Sequence, residues 1–343
     1  MKRYLPLAAL LVAACATEPA QDIYEVETAN VYAAFETDPM PTRGDTADDP
    51  ALWVNPLDAS KSLILGTNKD EGLYVYDLTG KKTQFVDTGR INNVDVRGNI
   101  AIASNDETKS VSWFSIDPAT QTVTHIGDTP TLKDEPYGIC AGLIDGNFLA
   151  MPTYKDGTIQ IWSLPYAEAK GLNAELVRTY KFDSQLEGCV VEDDGRQVFV
   201  GEEEHGIWKL DLVNDESIAL SVDTIAARQG LVADVEGISI WKGEEGYGYL
   251  VASAQAADRY VIYDLEPPHA RVGVITIVAS PDGSVDGVTH TDGLDVNSTP
   301  LPGFPKGVMI VQDDANPESE VDQNFKIIDW VDIEAAARLN DRP

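Results

Sequence analysis

The 343-residue chain carries 57 acidic and 25 basic residues, a formal net charge of −32. A nucleic-acid backbone would be repelled by such a surface, so nucleic acid is excluded as a partner class. The surplus also repels itself, and bound cations would relieve it. The length fits one large domain or two ordinary ones.

The first residues are a leader. Lys2 and Arg3 form a basic start, and Tyr4 to Val12 form an apolar run too short to span a bilayer. Leu11-Val12-Ala13-Ala14-Cys15 resembles a bacterial lipobox, which implies a lipidated Cys15 and removal of the segment before it. Ala16 in place of aspartate after the cysteine implies an outer-membrane or periplasmic lipoprotein. Residues 16–29 are then expected as a polar tether. That leaves Cys140 and Cys189, which lie in apolar runs outside any Cys-x-x-Cys pair, so buried free thiols are the default expectation, with a bridge between them as the alternative in an oxidising compartment.

From residue 30 to 343 one domain is expected. Asn30 to Phe35 reads as a strand. The stretch Asp45-Thr46-Ala47-Asp48-Asp49-Pro50 then packs three carboxylates ahead of the apolar Ala51-Leu52-Trp53. Carboxylates that close repel one another unless a cation sits among them, and calcium takes six to eight oxygen ligands.

A rhythm of strands follows. Second strands are predicted at 62–66, 100–104, 148–151, 198–201, 249–253 and 308–311. Third strands are predicted at 72–78, 110–116, 158–162, 206–210, 260–263 and 325–328. The groups open at Asp49-Pro50, Asn93-Val94-Asp95, Tyr137-Gly138, Glu187-Gly188, Glu236-Gly237 and Asp292-Gly293. These openings recur at about 44 to 56 residues, the size of a four-stranded propeller blade. Six such groups predict an all-β, six-bladed β-propeller. The strand around 30–35 would supply the last blade's missing outer strand and remove an open edge. The Ala-rich tail at 334–338 reads as a short helix.

In a propeller, residues opening the inner strands converge near the axis. That gathers Glu36, Asp45, Asp48, Asp49, Tyr137, Glu187, Glu203, Glu236, Gln255, Asp292 and Asp313 toward one face, with Asn324 offering an amide oxygen. An all-oxygen set with few histidines and no thiolate pair suits calcium rather than zinc or copper. Asp45 and Asp49 read as the best ligands of the first stretch, and Asp48 as a turn residue. Lys69 and Lys155 follow second strands at equivalent places, and Arg90 precedes a first strand. Cations beside a metal ring point to an anionic ligand such as phosphate.

Asp45-x-x-Asp48-Asp49-Pro50-Ala51-x-Trp53, Gly66-Thr67-Asn68-Lys69, Asn92-Asn93-Val94-Asp95-Val96-Arg97, Ile207-Trp208-Lys209, Asp234-x-Glu236-Gly237, Thr291-Asp292-Gly293-Leu294-Asp295 and Gln323-Asn324-Phe325-Lys326 resemble the β-propeller phytases of bacteria. The resemblance covers about residues 30 to 335. It implies calcium-dependent hydrolysis of phosphomonoesters of myo-inositol hexakisphosphate, as by a 3-phytase-type phosphoric monoester hydrolase serving phosphate acquisition. It also implies channel calcium ions that bind substrate phosphate and activate a water for in-line attack.

Carried over motif by motif, Glu36, Asp45, Asp49, Tyr137, Glu187, Glu203, Glu236, Gln255, Asp292 and Asn324 would hold calcium. Glu187, Asp49, Glu203 and Tyr137 would be catalytic, and Lys69, Lys155 and Arg90 would bind phosphate. The Val94 carbonyl, Asp49, Asp292 and Asn324 would surround a structural ion on the axis. Phytate or calcium phytate is the expected substrate, the lipid anchor the expected membrane contact, and a monomer the expected state.

Two positions depart from the family pattern. Asp106 stands where the family commonly has a basic residue, and Ala256 where it has glycine. The competing readings are a calcium-bound lactonase-type propeller hydrolase and a non-catalytic, anion-binding surface propeller.

Overall fold

The computed structural model describes residues 23–167, 173–214, 218–243, 246–314 and 323–339. Cys15 and the expected leader lie outside them. Six sheets form, each with four antiparallel strands from the axis outward, and one of them gains a fifth strand at its outer edge.

Blade one comprises Ala47–Trp53, Leu63–Asn68, Gly72–Asp77 and Lys82–Asp87. Blade two comprises Ile91–Arg97, Ile100–Asn105, Ser110–Asp117 and Thr122–Pro130. Blade three comprises Pro136–Ile144, Asn147–Tyr154, Thr158–Pro165 and Glu175–Lys181. Blade four comprises Leu186–Glu192, Gln197–Glu202, Gly206–Asp211 and Leu220–Thr224. Blade five comprises Val235–Lys242, Gly248–Ala254, Arg259–Asp264 and Arg271–Ile277. Blade six comprises Leu294–Asn297, Val308–Asp313 and Asn324–Asp329, with an outer strand from the start of the chain.

The pattern of side chains explains the layers. The second strand Ile100–Asn105 is buried at every residue, because neighbouring blades cover both of its faces. The outer strand Lys82–Asp87 alternates exposed and half-buried residues instead. The core is divided among blade interfaces: Leu65 and Val75 of blade one share a cluster with Ala103 and Phe114 of blade two. Val251 and Ile262 of blade five share another with Met309 and Val311 of blade six.

Closure differs in detail from the single strand expected at 30–35. The segment splits. Ala29–Val31 adds to blade five as a fifth strand, parallel to Arg271–Ile277. Phe35–Glu36 pairs antiparallel with Ile327 and Lys326 as the outer strand of blade six. The Gln323 side chain then accepts the Thr46 and Ala47 amides at 2.5 and 2.6 Å, tying blade six to blade one.

Nor is the expected tether free over its last residues. The Tyr24 hydroxyl donates to the Leu231 carbonyl at 3.0 Å, and the Arg228 guanidinium lies 4.2 Å from its ring centre. The terminal helix begins earlier than expected, at Trp330, because the Asp329 carboxylate caps the Val331 amide at 2.9 Å.

Cys140 and Cys189 form a disulfide, which corrects the expectation of free thiols. They sit on the inner strands of blades three and four, whose Cα atoms approach to 5.6 Å there. The blade packing creates that proximity, and spacing along the chain does not reveal it.

Candidate metal and phosphate site

One backbone device builds the site. In blades one to five the inner strand begins with a bulge: pairing slips between Ala47 and Pro50, Ile91 and Val94, Pro136 and Ile139, Leu186 and Cys189, and Val235 and Ile238. A bulge leaves an extra residue unpaired and re-aims its side chain. The first bulge residues are Asp48, Asn92, Tyr137, Glu187 and Glu236, with Asp292 in the matching place ahead of blade six.

The second bulge residue is glycine where inner strands crowd the axis. A Cβ at Gly138 would lie 2.0 Å from the Glu187 carbonyl oxygen, and one at Gly188 2.0 Å from that of Glu236. In blade one this second place is Asp49.

The register sends the neighbouring side chains of Asp48 and Asp49 in different directions. Asp48 is fully buried, and neither of its carboxylate oxygens has a hydrogen-bond partner. It faces Lys69, Asp292 and Asp45, and burial pushes it up to about 7. Asp49 turns away and accepts the Val94 amide at 3.0 Å. It lines the axial cavity of about 460 Å³ with Asp95, Arg97, Asp193 and Asp295, along the later halves of the inner strands.

At the channel mouth, carboxylate oxygens of Glu187, Glu203 and Glu236 lie within 4.8 Å of one another, and all three residues are buried. Burial raises Glu187 and Glu236 well above the usual carboxylate range, and each keeps one oxygen without a partner. Burial likewise pushes Glu203 up to about 7, against a hydrogen bond from Gln185 Nε2. Tyr137 adjoins this group. Its hydroxyl pKa is raised by burial and by the negative field of Glu187, Asp48, Glu236 and Glu203, so it stays protonated. Of the three acids at 202–204, Glu202 turns aside, accepting Ser184 and Trp208.

The basic groups flank the acids. Lys69 Nζ lies 2.9 Å from both Asp45 and Asp292 and 3.7 Å from Asp48. Burial alone would depress its ammonium, but Asp48, Asp292 and Asp45 hold it charged. Lys155 Nζ sits 4.1 Å over the Tyr137 ring, and its charge is felt at Asp48 and Glu203. Gln255 Nε2 donates to Asp292 at 2.6 Å.

Glu36, Asn324 and Asp313 gather elsewhere, around the buried Lys326. Its ammonium binds Glu36 at 2.6 Å, Asp313 at 3.0 Å and Asn324 Oδ1 at 3.3 Å, and it also reaches Asp286. The expected axial grouping thus divides. Asp49 meets Val94 on the axis, while Asp292 serves the mouth and Asn324 this blade-six cluster. Arg90 is engaged too, by Asp106 at 3.1 Å.

Calcium fits the mouth on the chemistry of its donors. Orphaned buried carboxylate oxygens on Asp48, Glu187 and Glu236 cost free energy without a cation. They supply the hard oxygens that calcium prefers.

Comparison with known proteins agrees. The family model "Phytase" matches residues 4–343. A 3-phytase of Bacillus subtilis (strain 168) is 33% identical, over 98% of this chain and 92% of that protein. Solved structures show the same architecture at low identity. The WD40 repeats of RRP9 align with TM-score 0.53 at 10% identity, covering 82% of this chain and 78% of that one. A mitotic checkpoint complex chain aligns with TM-score 0.53 at 13% identity, covering 90% and 82%. With a buried carboxylate mouth flanked by lysines and a match along nearly its whole length, this chain belongs to the phytase family.

Proposed function

We propose that this phytase hydrolyses phosphomonoesters of myo-inositol hexakisphosphate at the channel mouth, and that the activity depends on calcium. The observation that carries the reading is the convergence of Glu187, Glu203 and Glu236 with the orphaned Asp48 carboxylate. Those four, with Asp292, Asp45 and the Gln255 amide oxygen, would hold the metal. Bound calcium would reverse the sign of the mouth and supply Lewis-acid assistance to a water attacking phosphorus.

The protein's own groups do the positioning. Lys155, exposed over the Tyr137 ring, meets the incoming phosphate first. Lys69 stays charged among its three carboxylates and holds Asp45, Asp48 and Asp292 in place. Tyr137, kept neutral, offers its O–H to a phosphoryl oxygen. The family match favours phosphate esters over a lactone substrate. Purified protein and its Glu187→Gln variant, incubated with phytate and calcium, provide the test. Release by the first and not the second is expected. Phytate binding without release would favour the non-catalytic anion-binding reading.

Export belongs to the same proposal. The Leu11 to Cys15 stretch supports lipidation, and the Cys140–Cys189 disulfide supports an oxidising compartment. A monomer anchored by lipid at the outer membrane or in the periplasm is the arrangement we favour. Loss of the Cys15→Ala variant from the membrane fraction would support the anchor; unchanged partition would count against it.

A further inference from the structure

The penultimate residue of each second strand occupies one equivalent place, buried in every blade: Thr67, Ser104, Thr153, Gly201, Ser253 and Gln312. Three of these side chains reach across to the next blade. The Ser104 hydroxyl donates to the Tyr137 carbonyl, and the Thr153 hydroxyl to the Glu187 carbonyl at 2.8 Å. The Ser253 hydroxyl donates to the Thr291 carbonyl at 3.0 Å, one residue ahead of Asp292. Tyr137 and Glu187 are first bulge residues, whose side chains serve the mouth.

The Thr153 contact shows what such a bond does. Strand pairing in blade four slips at Glu187, from Leu186 opposite Glu202 to Cys189 opposite Val200. The Glu187 peptide therefore lies outside the regular ladder, where an added donor fixes it. The bond passes beside Gly138, where a Cβ would lie 2.0 Å from the Glu187 oxygen and 2.5 Å from Thr153 Oγ1. Holding that carbonyl sets the Glu187 backbone, and with it the line along which the side chain enters the mouth. The constraint matters because the Glu187 carboxylate lies within 4.8 Å of those of Glu203 and Glu236, and like charges push such a group apart. In blade four the equivalent place is Gly201, which has no hydroxyl. Glu236 is flanked there by backbone bonds instead, from the Val235 amide to the Glu203 carbonyl at 3.1 Å and from the Gly237 amide to the Asp292 carbonyl at 2.7 Å.

We propose that Thr153 is a positioning residue of the site: its hydroxyl aims Glu187 at the metal, as Ser104 aims Tyr137. The inference rests on the phytase reading above and deepens it.

The test compares wild type with Thr153→Val, which keeps the shape and removes the hydroxyl, and with Thr153→Ser, which keeps the hydroxyl. Ser62→Ala is the control. Ser62 is a buried hydroxyl bonded to backbone beside the start of blade one's second strand, away from the mouth. Calcium binding is read by calorimetry, kcat and KM by phosphate release from phytate, and stability by denaturant unfolding. Thr153→Val is expected to bind calcium roughly fivefold more weakly, the worth of one neutral hydrogen bond. Its kcat should fall about tenfold while KM for phytate stays near wild type, because a misaimed ligand harms the chemistry more than phosphate capture. Thr153→Ser should match wild type, and Ser62→Ala should lose stability alone. Ser104→Ala should lower kcat without changing calcium affinity, and it supplies the same comparison at the neighbouring interface should Thr153→Val not fold. Unchanged kcat in Thr153→Val and Ser104→Ala, with Glu187→Gln inactive, would overturn this inference alone. Equal losses in Thr153→Ser or Ser62→Ala would reduce the hydroxyl to packing and overturn it as well. Thr153-dependent calcium binding without hydrolysis by any form would overturn the catalytic reading alone.

Discussion

The Asp49 carboxylate accepts the Val94 amide at 3.0 Å, bridging the inner strands of blades one and two. Its neighbour Asp48 sends both oxygens to the mouth without a hydrogen-bond partner. Two adjacent acids thus point to different places, one to a neighbouring inner strand and one to the mouth. Asp48→Asn is expected to abolish calcium-dependent phosphate release and to weaken calcium binding in a calorimetric titration. Asp49→Asn is expected to retain calcium binding at the mouth and to lose about 1.5 to 3 kcal/mol of stability, the worth of a hydrogen bond to a charged group. The opposite assignment would show the bulge register to be misread.

The glycine at the second bulge place is required by the approach of the next blade. In Gly188→Ala the new methyl would sit 2.0 Å from the Glu236 carbonyl oxygen, which is backbone and cannot swing aside. A loss of roughly 3 kcal/mol in denaturant unfolding is expected. An unchanged midpoint would mean that the inner strands separate without penalty.

The disulfide between blades three and four encloses a sequence separation of 49 residues. Replacing both cysteines with serine should cost about 2 to 4 kcal/mol, since the unfolded chain regains loop freedom. The same unfolding experiment under reducing conditions should shift wild type and leave the double variant where it was.

Protonation gives the metal-free protein a definite pH response. Asp48 and Glu203 rise from 3.8 and 4.5 to about 7 on folding. The folded state therefore keeps protons that the unfolded chain releases. Their contribution is full below the unfolded values and is lost as pH rises through about 7. In chelator, the melting temperature should fall from about pH 5 to about pH 8, and fall less in Glu203→Gln. Added calcium should restore most of the loss at the higher pH. An equal fall in wild type and variant would remove Glu203 from the cluster.

Much of this was legible in the sequence. Repeated apolar runs with turns between them indicate the six blades, and Glu187-Gly188 and Glu236-Gly237 mark the openings of inner strands directly. The bulge register is harder to read in blades one and two, where Asp48-Asp49 and Asn92-Asn93 lack the glycine that labels the second bulge place. Aligned on Tyr137-Gly138, Asp48 takes the first bulge place and Asp49 the second. The Cys140–Cys189 bridge and the Lys326 cluster stayed hidden for another reason. Both depend on contacts between distant parts of the chain, which periodicity does not report. The ion pair of Arg90 with Asp106 is likewise not visible in the spacing of the sequence.

The most direct measurement is phosphate release from phytate by purified protein stripped with a chelator, then titrated with calcium. Stripped protein is expected to release no phosphate, and release should return as calcium fills the mouth, but not in Asp48→Asn or Glu187→Gln. Full activity in the chelated protein, or equal recovery in those variants, would contradict a calcium-dependent phytase site built on these carboxylates.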